Sequence, residues 1–167
     1  KGTVDISQKE VADRAGTPLE EALARGDKRE CTEIMCQGAA SLAKELFDRG
    51  RISGVIGIGG AQGTEIASAA MRELPTGVPR LMASTVANGA HQFGFYVGTK
   101  DLTFMHTVSD LQGLNFLSRQ ILQNAAGAIC GMARHFEGRL QKPEGIPVAM
   151  SMLGTTTPGA LRAKSIL

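Results

Sequence analysis

Tryptophan is absent, tyrosine occurs once, and aromatic residues make up only 4% of the chain. The stacking platforms on which single-stranded nucleic acids are bound are therefore not supplied. Blocks of like charge are lacking too: 18 basic and 16 acidic residues are interspersed for a net charge of +2. That balance leaves no electrostatic footprint for nucleic acid. The longest apolar stretch, Ala125 to Ala133, falls far short of the ~20 residues that a membrane-spanning helix needs. No leader peptide opens the sequence, so neither nucleic acid nor membrane is expected as a partner. Cysteine is scarce and odd in number. Cys31, Cys36 and Cys130 match no zinc or redox spacing, so they read as reduced, buried thiols, which implies a cytoplasmic location.

What is present suits one globular domain of 167 residues, 43% hydrophobic and 20% charged. Three helix starts open the chain: Ser7 with Glu10, Thr17 with Glu20 and Asp27 with Glu30 each put a capping side chain three residues before a carboxylate. Gly16, Gly26 and Gly50 supply the stops, the last after a long helix from about Lys28 to Arg49. Ile34, Ala39, Leu42, Ala43, Leu46 and Phe47 give that helix one apolar side. From Ile52 the texture changes to short apolar runs, Ile52 to Ile58, Pro79 to Ala83, Leu102 to His106 and Ile146 to Leu153. Helical patterns follow, over Thr64 to Leu74, Leu114 to Phe136 and from Pro158. Runs without clean alternation suit parallel strands covered on both faces. The order predicts an α/β, Rossmann-like, mostly parallel sheet with helices on both faces, whose ligands bind outside the carboxyl ends of the strands.

Gly57-Ile58-Gly59-Gly60-Ala61-Gln62-Gly63-Thr64 follows a strand and opens a helix. Glycines there let the backbone turn and approach a ligand, and amides at a helix start favour an anion, so Gly59, Gly60, Gly63 and Thr64 are candidate phosphate-binding residues. No Gly-Lys-Ser/Thr follows, so this is not a P-loop. A dinucleotide fingerprint fits poorly, because the third glycine comes one residue late and the second strand ends in Ser84-Thr85 where a ribose-binding acid would stand. A second cluster, Gly154-Thr155-Thr156-Thr157-Pro158, is expected at another strand end. Thr155, Thr156 and Thr157 place three hydroxyls beside a helix start, and Ser84, Thr85, Gly98 and Thr99 are candidates to complete the same rim. His91, His106 and His135 have no partner at ligand spacing and read as structural or surface residues. Asp101 and Asp110 are the acids available to a magnesium ion or a ribose, or to a turn. Gly127 and Gly131, one turn apart in a glycine-weakened helix, predict the close approach of a strand or partner helix there.

Taken together, Gly57 to Thr64, Gly77 to Met82, Ser84 to Ala87, Tyr96 to Thr99 with Asp101, Asn124 to Ala128 and Thr156-Thr157-Pro158 closely resemble a family of uncharacterised microbial proteins. Its plant relative is the tomato protein that confers resistance to tomato mosaic virus by inhibiting viral replication. The resemblance implies a two-part α/β protein of roughly twice this length with an ATP-binding domain, so that ATP becomes the expected nucleotide. On that basis residues 1–153 are expected to form part of the first, nucleotide-binding domain, and residues 154–167 to begin the helix leading to a second. This sequence departs from the family in having Ala61-Gln62 where Ser-Gly is common, and in the insertion Gln92-Phe93-Gly94-Phe95.

Three functions follow as expectations. The first is binding of ATP or a related phosphorylated ligand; if a reaction accompanies it, Asp101 or Asp110 would hold magnesium. The second is a nucleotide-stabilised assembly module without catalysis, and the third an NAD-dependent oxidoreductase. An unfinished sheet and the Gly127/Gly131 face also predict a homo-oligomer.

Overall fold

Side-chain caps start two of the first three helices. In the computed structural model, which describes residues 4–89, 93–136, 144–146 and 148–167, α1 (Gln8–Arg14) begins at Ser7, whose hydroxyl accepts from Glu10 N–H while the Glu10 carboxylate returns to the Ser7 amide. α3 (Lys28–Asp48) begins at Asp27, whose carboxylate accepts from the amides of Arg29 and Glu30. Between them α2 (Leu19–Ala24) starts at Pro18 with no side-chain cap. Gly16, Gly26 and Gly50 end the three helices at φ 78°, 69° and 65°, a region that favours glycine.

Three parallel strands follow, β1 (Val55–Gly59), β2 (Arg80–Ser84) and β3 (Thr103–His106), paired in the order β1-β2-β3. α4 (Ala61–Glu73) connects the first two, and the single turn α5 (Gly94–Val97) lies between β2 and β3. α6 (Phe116–His135) follows β3, and α7 (Thr157–Lys164) comes after a 3-10 turn at Gly154–Thr156. Gly57 and Met82 are in register and face α4, whereas Leu81 and Ala83 turn to the other face and pack against Ala125 of α6. The sheet is therefore covered on both sides, and β2, between two neighbours, is buried along its whole length. An α/β fold with a parallel sheet and helices on both faces is what the strand-helix alternation predicts.

A second layer of helix packing lies beneath α4. Ala43 and Phe47 of α3 join Ala70, Leu74 and Val78, with Val55 and Phe136 at the margin. The first half of α3 serves a separate cluster, in which Ile34 packs with Ala12 and Ala22. The apolar side read from the sequence is thus divided between two partners.

Several expectations are corrected. Residues 148–153, predicted as a strand from Ile146, pair with nothing among the described residues and are exposed; Pro147 lies outside those residues. An apolar run favours extended backbone, but a ladder also needs a strand edge brought alongside it. Cys130 is exposed on α6 and Cys31 and Cys36 are half-buried, so the thiols are free but not core residues. Gly127 and Gly131 have no neighbouring atom within 4 Å of where a Cβ would stand, so no described part of the chain approaches them. No helix among the described residues is long and apolar enough to cross a membrane.

Candidate functional site

The carboxyl ends of the three strands form one rim, and the glycine loop is its centre. Gly59 ends β1, and Gly60 starts α4 with extended backbone and no side-chain cap. The first bond of the helix runs from Thr64 N–H to Gly60 O, at 2.7 Å. The amides of Ala61, Gln62 and Gly63 thus precede the helical ladder at the positive end of the helix dipole. α4 starts three residues before the predicted Thr64, which puts the last loop glycine inside the helix. A Cβ on Gly59 would stand 3.1 Å from Gly63 Cα, so a side chain there would push the first turn of α4 back by a few tenths of an ångström. A Cβ on Gly57 would come within 2.6 Å of both Ala67 Cβ and Met82 Sδ; that glycine seats α4 on the sheet.

Thr64 and Ser84 are fully buried, and their hydroxyls lie 2.6 Å apart. Thr64 Oγ1 donates to Gly60 O at 2.8 Å, and Ser84 Oγ accepts from Val86 N–H at 3.2 Å. A consistent relay is then Val86 N–H to Ser84, Ser84 to Thr64, and Thr64 to Gly60 O. These two hydroxyls hold the loop against the end of β2 and are spent inside the protein. Thr85 is the residue that stands open beside the loop. Its amide donates to Gly59 O at 3.1 Å, and its Oγ1 would be 3.5 Å from a Cβ on Gly60. Gln62 is directed away, donating to Thr32 Oγ1 of α3 at 2.7 Å.

The third strand end adds residues that the sequence motifs do not single out. Thr107 is fully buried, donates its amide to Ser84 O at 3.1 Å and its hydroxyl to Ser109 O at 2.9 Å. Ser109 N–H returns to Thr107 O at 2.7 Å across Val108, which is held at φ 65°. This is a γ-turn at a positive φ that a β-branched residue rarely adopts, and such strain persists only where the surroundings impose it. Ser109 Oγ is buried without a hydrogen-bond partner. The signal available in the sequence is the polar string Thr107-Val108-Ser109 directly after a strand.

Other candidates lie elsewhere. Gly98 and Thr99 precede β3 and so stand at the amino ends of the strands, opposite the glycine loop, with Gly98 beside Arg72 at the end of α4. A residue before a parallel strand cannot share a rim with the residues that end its neighbours. Asp101 is at that same far end, paired with the buried Arg80 at 3.2 Å and accepting from Gly77 N–H at 2.9 Å. Burial lowers the Arg80 pKa, and Asp101 opposes that shift. A carboxylate committed in this way is not at the rim, and of the two proposed magnesium holders only Asp110 follows β3. Thr155, Thr156 and Thr157 are also not brought to the rim; Thr156 instead closes its own turn through Leu153. His106 and His135 are exposed, and His91 lies outside the described residues. Among the described residues no group of three or more His, Cys, Asp or Glu could hold a metal ion.

The sequence has relatives over nearly its whole length. A UPF0261 protein of Clostridium tetani is 41% identical over 163 residues, 98% of this chain and 40% of its own. A UPF0261 protein of Rhizobium meliloti is 42% identical over 156 residues, 93% of this chain and 37% of its own. The ToMV resistance protein Tm-1(GCR237) of Solanum lycopersicum is 40% identical over 132 residues, 75% of this chain and 17% of the plant protein. The chain thus spans about two fifths of the length of its bacterial relatives. Residues 1–138 match the N-terminal domain described as "Uncharacterised protein family (UPF0261)", and the chain belongs to that family.

Proposed function

We propose that this chain binds a nucleotide, ATP by preference, with its phosphates at the start of α4. The observation that carries the reading is the passage from Gly59 through Gly60 into α4. It sits at the carboxyl rim of a parallel sheet, where α/β proteins bind their ligands, and no side chain caps the helix. Thr85 is placed to add a hydroxyl, while the buried Thr64–Ser84 pair holds the loop in position. The preference for ATP comes from the family resemblance, since phosphate chemistry alone fits any phosphorylated ligand. An NAD-dependent oxidoreductase is disfavoured by Ser84-Thr85 at the end of β2, where the ribose acid would be needed.

Gly60 has φ −83° and ψ −159°, which any residue adopts, and a Cβ there meets only Thr85 Oγ1, at 3.5 Å. Gly60→Ala should therefore fold as the parent does while placing a methyl group in the path of the phosphate. Calorimetric titration of ATP is expected to show a loss of about tenfold or more, each tenfold step being about 1.4 kcal/mol. Parental affinity in a folded Gly60→Ala protein sinks the proposal. Measuring ATP turnover with and without magnesium then separates an enzyme from an assembly module.

A further inference from the structure

The buried hydroxyls at the carboxyl rim satisfy one another, with one exception. Thr64 Oγ1 donates to Gly60 O, Ser84 Oγ accepts from Val86 N–H, and Thr107 Oγ1 donates to Ser109 O. Ser109 Oγ, in the turn that ends β3, is shielded from solvent and has no hydrogen-bond partner among the described residues. Such a hydroxyl has lost its water and gained nothing in return, which a native fold rarely tolerates without a reason. Beside it stands Val108, at φ 65° the one non-glycine residue with positive φ among the described residues, and its side chain is 63% exposed. A β-branched residue in that region is strained, and here the side chain gains little burial to offset the strain.

The turn is built onto the same residue that holds the glycine loop. Ser84 O accepts from Thr107 N–H at 3.1 Å, and Ser84 Oγ lies 2.6 Å from Thr64 Oγ1 of α4. All three residues are fully buried. Thr107 then pins the turn twice, its hydroxyl donating to Ser109 O at 2.9 Å and its carbonyl accepting from Ser109 N–H at 2.7 Å. These bonds hold Val108 in its strained conformation and fix the turn relative to the start of α4. Gly59 is in register with Ser84, and Ser84 with His106. The turn after β3 therefore stands two strand spacings, about 10 Å, from the end of β1, with Thr85 between them.

We propose that the turn Thr107–Ser109 receives the nucleoside end of the ligand whose phosphates lie at Gly60, with Ser109 Oγ bonding a ribose hydroxyl and Val108 lying against the base. This rests on the nucleotide reading above. The ligand then runs along the strand ends, from the start of α4 past Thr85 to the end of β3. A serine hydroxyl both donates and accepts, as a ribose hydroxyl does, so the pair can satisfy each other in either direction. Apolar surface is what the face of a base needs, and Val108 supplies it where the neighbouring groups are polar. The locked turn keeps both contacts in place before the ligand arrives, so little ordering is left to oppose binding.

Calorimetric titration of the full-length protein with ATP and with inorganic tripolyphosphate separates the two ends of the ligand. Gly60→Ala is expected to weaken both. Ser109→Ala should weaken ATP about fivefold and Val108→Asn about threefold, each leaving tripolyphosphate as in the parent. Neither variant should lower the urea midpoint, because Ser109→Ala removes a hydroxyl that has no partner and asparagine tolerates positive φ better than valine. Parental ATP affinity in Ser109→Ala overturns the proposal, as does an equal loss of ATP and tripolyphosphate in that variant. Either result leaves the reading of the glycine loop in place. ATP affinity that Gly60→Ala does not change removes the nucleotide reading, and this proposal with it.

Discussion

At the scale of single residues, the glycines divide by what stands in front of them. Gly38, deep in α3, would put a Cβ 1.8 Å from the carbonyl oxygen of Val11, so α1 lies directly against its backbone. Gly57 meets Ala67 and Met82 in the same way. Nothing in the sequence separates these two from the loop glycines, because a packing glycine and a ligand-facing glycine share the same letter. The obstacle at Gly38 is backbone oxygen at 1.8 Å, whereas at Gly57 the overlaps, with the fixed Cβ of Ala67 and the flexible Met82 side chain, are smaller, each at 2.6 Å. Gly38→Ala is therefore expected to cost about 3 kcal/mol and Gly57→Ala about 1 to 2 kcal/mol, the range of overpacked cores. Urea unfolding of both variants checks this order, and a Gly38→Ala protein as stable as the parent refutes it. Thr64 and Ser84 carry a similar lesson. Their place beside the glycine loop marks both as ligand residues in the sequence, yet in the fold they are buried partners of each other.

At the scale of elements, the starts of α1 and α3 are legible because capping is local, whereas Thr17 caps nothing and α4 begins before its predicted start. Ser7 and Glu10 satisfy one another's amides within one turn, and only spacing is needed to see it. Glu10 has its pKa lowered, first by the Ser7 backbone amide and then by the Ser7 hydroxyl. A depressed carboxylate contributes stability above its unfolded pKa, and the contribution is lost as pH falls through the folded value. Glu10→Gln, which removes the titrating group and keeps an acceptor for the Ser7 amide, should flatten this acid limb while leaving the stability curve above neutral pH parallel to the parent's. Thermal melts from pH 3 to 7 test it, and an unchanged acid limb would count against the capping box. Strand ends, by contrast, shift by one to three residues, and the run from Ile146 to Leu153 has strand composition without a strand partner in the described fold.

For the whole molecule, the core is not one mass. α1 and α2 bury Ala12 and Ala22 against Ile34 at one end of α3, apart from the clusters that hold the sheet. A groove of 410 Å³ lies between α1 and α3, lined by Ile6, Glu10, Asp13, Arg14, Leu42, Glu45 and Leu46, with Arg14 and Glu45 paired across it. Few large apolar contacts hold this end, so it should open locally before the sheet does. Amide exchange is expected to be faster in α1 and α2 than in β2, and equal protection would mean a single cooperative unit.

Sequence alone determined what depends on near neighbours: the caps at Ser7 and Asp27, the apolar strands before glycine-rich turns, the strand-to-helix turn at Gly59-Gly60, and from their alternation a parallel α/β sheet. These features follow from hydrogen bonds and periodicities confined to a few residues. Tertiary structure decided which strand end each loop joins, and therefore that Gly59, Gly60 and Thr85 share a rim while Gly98, Thr99 and Asp101 stand at the other end. It also decided that the hydroxyls of Thr64 and Ser84 are consumed by one another. The reason is that a residue's place on a sheet, and the partner its polar group finds there, depend on segments brought together from far along the chain, and no local pattern encodes that distance.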